Sequence, residues 1–386
     1  MVKPIKFGEI KVDDVVTIER VLDCLNRNWI SSGKYVKEFE KKWGELFGYR
    51  YNRAVSSGTD AVLNLVLSLY EFGAKPGDEV VVPALSFIAT TNAVRMAGFT
   101  PVFVDVDLQT MNMNPYALRE VITDRTVAIL AVHTMGKPCR INQIWNEVKH
   151  QESTYNRRIR IFEDCCEAHG ARFDGDYVGK FTDGAAFSFY TAHLICAGEG
   201  GMVSTQNHVV DRSVESTRTH GRDGNSLYFD HIRFGTNSKM NDLEAAVGLG
   251  GVDTFWETYD IRKKHLVTIM RAMKPYRRVA YMNTEDKYED VCAHAFSITL
   301  KSKDKNRFNR LTKLLEDNNI EWKRNFGSIP TQHRAYAYMG YNLGDFPNAE
   351  HIGDFGLHIG IHRYMTSEDT QRIIDVLNEF FINEKW

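Results

Sequence analysis

The stretch that decides the fold is Ile159-Arg160-Ile161-Phe162-Glu163-Asp164-Cys165-Cys166-Glu167. Ile159 to Phe162 is a β-branched and apolar run of strand length, and two acids follow it at once. A carboxylate at the end of a buried strand is costly unless a cation or several donors meet it. Asp164 therefore reads either as a cap for the next turn or as the partner of a cation such as a protonated pyridine nitrogen. Working outward, similar short runs stand at Glu79 to Val82, Pro101 to Val106, Val127 to Val132 and Ala185 to Tyr190. Helical spacing lies around them. Val36, Phe39, Trp43 and Phe47 share one face, with Gly48 placed as a C-cap, and Thr59 to Leu69 follows the turn Ser56-Ser57-Gly58.

Short strands separated by helices predict an α/β protein with a mostly parallel sheet covered on both faces. Ligands in such sheets sit beyond the carboxyl ends of the strands. The residues just past the runs, Phe87, His133, Asp164 and His193, are thus the first chemical candidates. From about residue 250 the texture changes. Phe255 to Met273 reads as a long helix, Phe296, Ile298 and Leu300 alternate as a strand, and Phe308, Leu311 and Leu315 share a helix face. Ile373, Leu377 and Phe380 close the chain on a helix opened by Thr366, with Asp369 three residues on. The expected division is a large domain over residues 1–250 and a smaller C-terminal α/β domain over 251–386.

Composition excludes several classes. A net charge of −2 over 386 residues offers no field for nucleic acid. No apolar stretch reaches the length of a membrane span, and Met1 to Glu9 lacks the apolar core of a signal peptide. Six cysteines, with only Cys165 and Cys166 close together, make no disulfide framework. The expected setting is cytoplasmic.

Three further motifs carry chemistry. Ser57-Gly58-Thr59-Asp60 opens a helix, where unpaired N–H groups hold phosphate, although Ser and Thr cap many helices that bind nothing. Phe187-Ser188-Phe189-Tyr190-Thr191-Ala192-His193 runs into Gly198-Glu199-Gly200-Gly201, so Ser188 is a second phosphate candidate. A single histidine after a strand is a structural residue more often than a catalyst, and His193 alone decides nothing. His358 and His362 have the i,i+4 spacing of a zinc pair, but the intervening Ile-Gly-Ile predicts strand or loop, and no metal is expected.

Taken in order, Trp29-Ile30-Ser31-Ser32-Gly33, Ser57-Gly58-Thr59-Asp60-Ala61, Pro83 with Phe87-x-Ala89-Thr90, Glu163-Asp164, Ser188-Phe189-Tyr190, Gly198-Glu199-Gly200-Gly201 and Asn237-x-Lys239-Met240 resemble the DegT/DnrJ/EryC1/StrS family of nucleotide-sugar aminotransferases. The resemblance runs from about residue 7 to 250. It implies the aspartate-aminotransferase scaffold, fold type I, and pyridoxal or pyridoxamine 5'-phosphate as cofactor. It assigns Asp164 to the pyridine nitrogen, Phe87 to the ring face, and Ser188, Gly58 and Thr59, beside Ser57, to the phosphate. It brings Asn237 from a second subunit, which implies a homodimer with shared sites. Glu167 stands where the family often has Gln, facing the cofactor hydroxyl.

The departure lies at His193. Most members carry a lysine there that tethers the aldehyde, and imidazole cannot. The flanking lysines in sequence are Lys180 and Lys239, neither of which replaces it. The change is similar to that in the 3-dehydratases of the family. Only Cys196 and Cys292 follow Cys166, so the four cysteines of the iron–sulfur type are absent, which favours the type acting on GDP-4-keto-6-deoxymannose. The resemblance then implies 3-deoxygenation of a nucleotide-linked 4-keto-6-deoxy sugar, with glutamate restoring the amine form. His193 is expected to take and return a proton, as an imidazole titrating near neutral pH. His133, His220, His358, Arg363 and residues 29–33 are expected near the sugar without a catalytic role. The rivals are an ordinary nucleotide-sugar aminotransferase and a cofactor-binding protein without catalysis; intact Asp164, Ser188 and Phe87 count against the second.

Overall fold

The computed structural model describes residues 3–12, 14–224, 229–384 and 386. Seven strands form the main sheet: β1 (Tyr51–Val55), β2 (Glu79–Pro83), β3 (Thr100–Val104), β4 (Thr126–Val132), β5 (Arg160–Asp164), β6 (Gly184–Ser188) and β7 (Gly201–Thr205). Their order is β1-β7-β6-β5-β4-β2-β3. Pairing is parallel from β6 through β3, and β7 alone runs against its two neighbours. All seven residues of β4 are buried, as a strand covered on both faces requires. The fifth strand reaches two residues further than the apolar pattern suggests, so Asp164 is its last residue rather than the one beyond it.

One face of this sheet rests on aromatic packing. The helix Lys34–Phe47 ends at Gly48, whose φ of 75° closes the last turn in the left-handed region. Its fully buried Trp43 meets Phe47, Phe187 and Phe189 edge-on at 4.6, 4.9 and 5.3 Å between centroids. The Trp43 indole N–H donates to Ser204 Oγ at 2.9 Å. Burying each such ring contributes about 1.5–3 kcal/mol. This packing fixes β6 and therefore Ser188 at its end.

A second, antiparallel sheet joins Ala280–Met282, Ala295–Leu300, Gly356–Gly360 and Trp322–Arg324 in that order. Helices Phe255–Met273, Lys305–Asp317 and Ser367–Asn383 supply its apolar cover. The last of these opens with a complete capping box between Thr366 and Asp369. Ile329, Tyr336, Phe346 and Ile352, all beyond residue 250, bury themselves in the core of the main sheet with Val80, Leu85 and Phe103. Among the described residues no helix is long and apolar enough to cross a membrane.

Candidate active site

The helix Gly58–Leu67 begins at the edge of the sheet with Ser57 as N-cap, its Oγ accepting from Asp60 N–H at 3.0 Å. Gly58 is obligatory by space. A Cβ there would stand 2.5 Å from Ser188 Cβ and 2.9 Å from Ser188 Oγ. The helix start and the end of β6 thus touch, and only hydrogen on residue 58 permits it. Gly201 closes the other side, since a Cβ on it would lie 2.3 Å from the Ser57 carbonyl oxygen. Ser57, Gly58, Thr59 and Ser188 are brought into one cup with helix N–H groups at its floor.

Asp164 lies at the carboxyl end of the central strand, 7% exposed. Thr90 Oγ donates to its Oδ2 at 2.8 Å and Cys166 N–H to its Oδ1 at 3.2 Å. Two neutral donors leave part of a buried carboxylate's accepting capacity unused. Phe87 heads the helix Ile88–Met96, and its ring is 62% exposed, with Phe326 6.0 Å away between centroids. An aromatic ring held open above such a carboxylate can stack on a flat ligand. Asn237 is exposed and accepts from Lys239 Nζ.

His193 sits five residues past Ser188 with its backbone N–H donating to Tyr190 O at 2.9 Å. Burial pushes its pKa down to about 3, with the Arg262 guanidinium adding to the effect. The ring is therefore a neutral base and does not titrate near neutral pH, contrary to the sequence-based expectation. Desolvation penalises the cation more than the sequence can reveal. Its Nδ1 is buried and without a hydrogen-bond partner. Beside it lies a cavity of about 340 Å³ reached also by His362, Arg363, Thr258 and Lys11.

Sequence reasoning missed three neighbours. Arg262, 3% exposed, donates to the carbonyls of Ala293 (2.9 Å), His193, Ala192 and His294 (3.2 Å each). One guanidinium so binds the loop of His193 to the strand that starts at Ala295. His294 stacks obliquely on His193, 5.3 Å between centroids, and its Nε2 is 3.4 Å from Glu167 Oε1. Lys323 stands over the Phe7 ring at 4.1 Å and acts electrostatically on His193, Glu167 and His358. All three come from the C-terminal third, where helical and strand texture alone gave no signal; only the fold brings them across. Glu167 itself accepts from Met135 N–H at 2.6 Å, and burial pushes its carboxyl up to about 7.

Other expected residues scatter. His133 is buried behind the strand ends: Nε2 is 2.7 Å from Glu163 Oε2, and Nδ1 accepts from Cys139 N–H at 2.9 Å. Both ring nitrogens are thus taken, and the His133 backbone N–H separately donates to the Asp164 carbonyl at 3.1 Å. Its ligating atoms lie within 4.8 Å of those of Glu163 and Cys165, but Glu163 is also held by Thr182 at 2.6 Å. His358 is buried on the strand Gly356–Gly360, with Nδ1 2.9 Å from Asn325 Oδ1. Its ring lies between Phe7 and Phe326, at 5.2 and 6.1 Å between centroids. Arg363 donates to Thr258 Oγ at 2.9 Å on the cavity wall. His220 is exposed at a φ of 65°. Residues 29–33 lie against Asp242, which accepts from Val36 N–H at 3.0 Å.

A comparison with known proteins accords with this geometry. The model of the DegT/DnrJ/EryC1/StrS aminotransferase family matches residues 12–378. The chain is 32% identical to a GDP-perosamine synthase of Escherichia coli O157:H7, covering 94% of this chain and 95% of that protein. It is 29% identical to a GDP-4-keto-6-deoxy-D-mannose 3-dehydratase of Yersinia pseudotuberculosis over 94% of each. The structure of a putative sugar aminotransferase from Streptococcus pneumoniae in its PLP form superposes with a TM-score of 0.89 at 23% identity, over 98% of each chain. That likeness establishes the same fold.

Proposed function

Because this chain belongs to the DegT/DnrJ/EryC1/StrS aminotransferase family, we propose that it is a pyridoxamine 5'-phosphate-dependent 3-dehydratase of a nucleotide-linked 4-keto-6-deoxy sugar. GDP-4-keto-6-deoxymannose is the favoured substrate, and glutamate the amino donor that restores the cofactor. The observation that carries the reading is the imidazole of His193, held neutral with its Nδ1 closed off from water, in the place where most of the family has its tethering lysine. The two relatives named above both carry GDP-sugar names, which supports the nucleotide.

The residues fit the cofactor. The cup at Gly58, closed to any Cβ, suits a phosphate that must approach backbone N–H groups. Ser57, Thr59 and Ser188 add hydroxyl donors. Asp164 would pair with a protonated ring nitrogen, and Phe87 would lie on the ring face. Glu167, three residues past Asp164, would face the cofactor hydroxyl, and Asn237 of the partner subunit would close the phosphate cup. An apolar exposed face suits such a homodimer: Val15, Leu22 and Leu25 on the helix Val15–Asn26, continued by Trp29 and Ile30, are each at least half exposed.

When bound, the cofactor supplies an amine for the sugar ketone and a ring that takes up electrons. The chain's own residues do the rest. Asp164 keeps the ring nitrogen charged. His193, neutral at working pH, accepts the proton from the carbon that bears the amine. It then returns a proton to the hydroxyl leaving C3, so that water departs. A lysine here would recapture the aldehyde; an imidazole leaves it free to be converted again by glutamate. Product release yields a 3-deoxy sugar ketone and ammonia.

A second reading, a nucleotide-sugar aminotransferase, is favoured by the perosamine-synthase relative and by Lys323, whose charge acts on His193. A panel of nucleotide-linked 4-keto-6-deoxy sugars separates the two. Loss of the mass of one oxygen atom, with ammonia release and conversion of glutamate to its keto acid, is the expected result, whereas an amino sugar supports the rival. Borohydride reduction followed by mass spectrometry should give no pyridoxyl adduct; one on Lys323 would overturn the reading. His193→Lys is expected to slow dehydration about 10²–10⁴-fold, the usual share of a proton-transfer residue. Dehydration at the parent rate would remove His193 as the base.

A further inference from the structure

We propose that Glu167 and His294 form a proton relay that stores, as the protonated Glu167 carboxyl, the proton taken up by His193. The inference rests on the reading above only in treating His193 as the proton-transfer residue. It starts from a mismatch. An imidazole whose Nδ1 is closed off from water and unpartnered is a poor place to keep a proton between two steps, so the proton needs a second residence.

The geometry offers one. His193 Nδ1 and His294 Nδ1 are both buried and both without a hydrogen-bond partner. They belong to rings 5.3 Å apart between centroids and inclined by 35°. The ring torsion of histidine is broad, so rotation about it is the motion that would turn one Nδ1 toward the other. On its far side His294 presents Nε2 to Glu167 Oε1 at 3.4 Å, while Glu167 Oε2 is anchored by Met135 N–H at 2.6 Å. Orphaned buried nitrogens are uncommon and each calls for a reason. Two of them, on neighbouring rings of a row that ends on a carboxyl, are accounted for together by a proton that crosses between them.

The transfer balances. The protonated His193 breaks its Nδ1–H bond and His294 gains one at Nδ1. His294 gives up the proton at Nε2, which bonds to Glu167 Oε1. His193 and His294 end neutral, His294 has changed tautomer, and the Glu167 carboxylate has become a carboxylic acid. Reversal reloads His193. Burial holds Glu167 at about 7, where a carboxyl both keeps and releases a proton near neutral pH. Asp164 raises Glu167 further and Lys323 opposes it. Arg262, His358, His169 and His193 all disfavour a lasting charge on His294, while Arg262 and Lys323 disfavour one on His193. A transient path with its resting place on the carboxyl is what this field selects.

The variant that isolates the relay is Glu167→Gln. Glutamine is common at this position in the family, so shape and cofactor contact are retained while the proton store is lost. ¹⁵N imidazole NMR against pH, on protein with and without cofactor but without sugar, should show the His294 resonances stepping near pH 7 in the parent and flat in E167Q. An infrared carboxylic-acid band that titrates with the same step should vanish. The single-turnover rate should fall about 10-fold in E167Q and lose its dependence on pH near 7. His294→Gln should do the same, with the cofactor's absorption unchanged. If the His294 step survives in E167Q, or if E167Q alters the cofactor spectrum and leaves the histidine resonances alone, the relay is refuted. Neither result depends on which sugar is dehydrated.

Discussion

Gly58→Ala tests the phosphate cup most directly. A methyl group there stands 2.5 Å from Ser188 Cβ, 2.9 Å from Ser188 Oγ and 3.1 Å from Cys166 Sγ. Two of these three contacts fall below any distance at which real Cβ atoms settle, and one involves the Cβ of a strand residue that cannot swing aside. Something in the backbone must move. Overpacking of this kind costs about 1–3 kcal/mol. With an unfolding entropy of about 2.1 cal/mol/K per residue, that lowers the melting temperature of a chain this long by only about 1–4 °C. The functional loss is larger. Displacing the first helical N–H groups and Ser188 Oγ removes charge-assisted hydrogen bonds worth about 1.5–3 kcal/mol each. Pyridoxal phosphate should then bind about 10- to 100-fold more weakly, read from quenching of protein fluorescence or by calorimetry. Adding Ser188→Gly removes the clashing Cβ. The double variant should recover most of the melting temperature but not the affinity, and the non-additivity measures the contact. If Gly58→Ala binds the cofactor as tightly as the parent, the phosphate lies elsewhere and the assignment of Ser57, Gly58, Thr59 and Ser188 fails.

Two further outcomes follow from burial. Arg262→Met leaves four carbonyl oxygens without their shared donor in the interior, so urea unfolding should show a loss of about 3 kcal/mol or more, with the His193 and His294 resonances both displaced; a shift confined to one loop would refute Arg262 as the tie between them. Acid should destabilise the cofactor-free protein early. His358 and His362 are pushed down to about 3 and about 4 by burial, below the unfolded value near 6.5. The unfolded chain therefore binds more protons between those limits, and stability is full above about pH 6.5 and falls as pH drops toward 3–4. Each group contributes at most about 1.4 kcal/mol per pH unit. His362→Asn should flatten the slope of unfolding free energy against pH in that window, and an unchanged slope would show that this ring is not held neutral.

What was legible in the sequence was everything written in local spacing. The strand runs, the helix Lys34–Phe47 with its Gly48 cap, and the box at Thr366 and Asp369 each depend on residues within one or two turns of one another. The sites at Ser57-Gly58-Thr59, Asp164 and Ser188 were readable because a parallel sheet places chemistry at its strand ends, whatever the details beyond them. His193 stood out only against a resemblance, as an imidazole where a lysine was due. What the tertiary structure alone decided was the state of that imidazole. Its low pKa arises from burial and from the charges of Arg262 and Lys323, both contributed by the C-terminal third. Neither desolvation nor long-range contact leaves a periodic mark in sequence. For the same reason Lys323 and His294 gave no sign of themselves, and His133, which looked like a site residue by its position after a strand, proved to be spent on Glu163 and Cys139. Residue order specifies which groups each element carries; only packing across elements sets how much water surrounds them, and with it which of them can hold a proton.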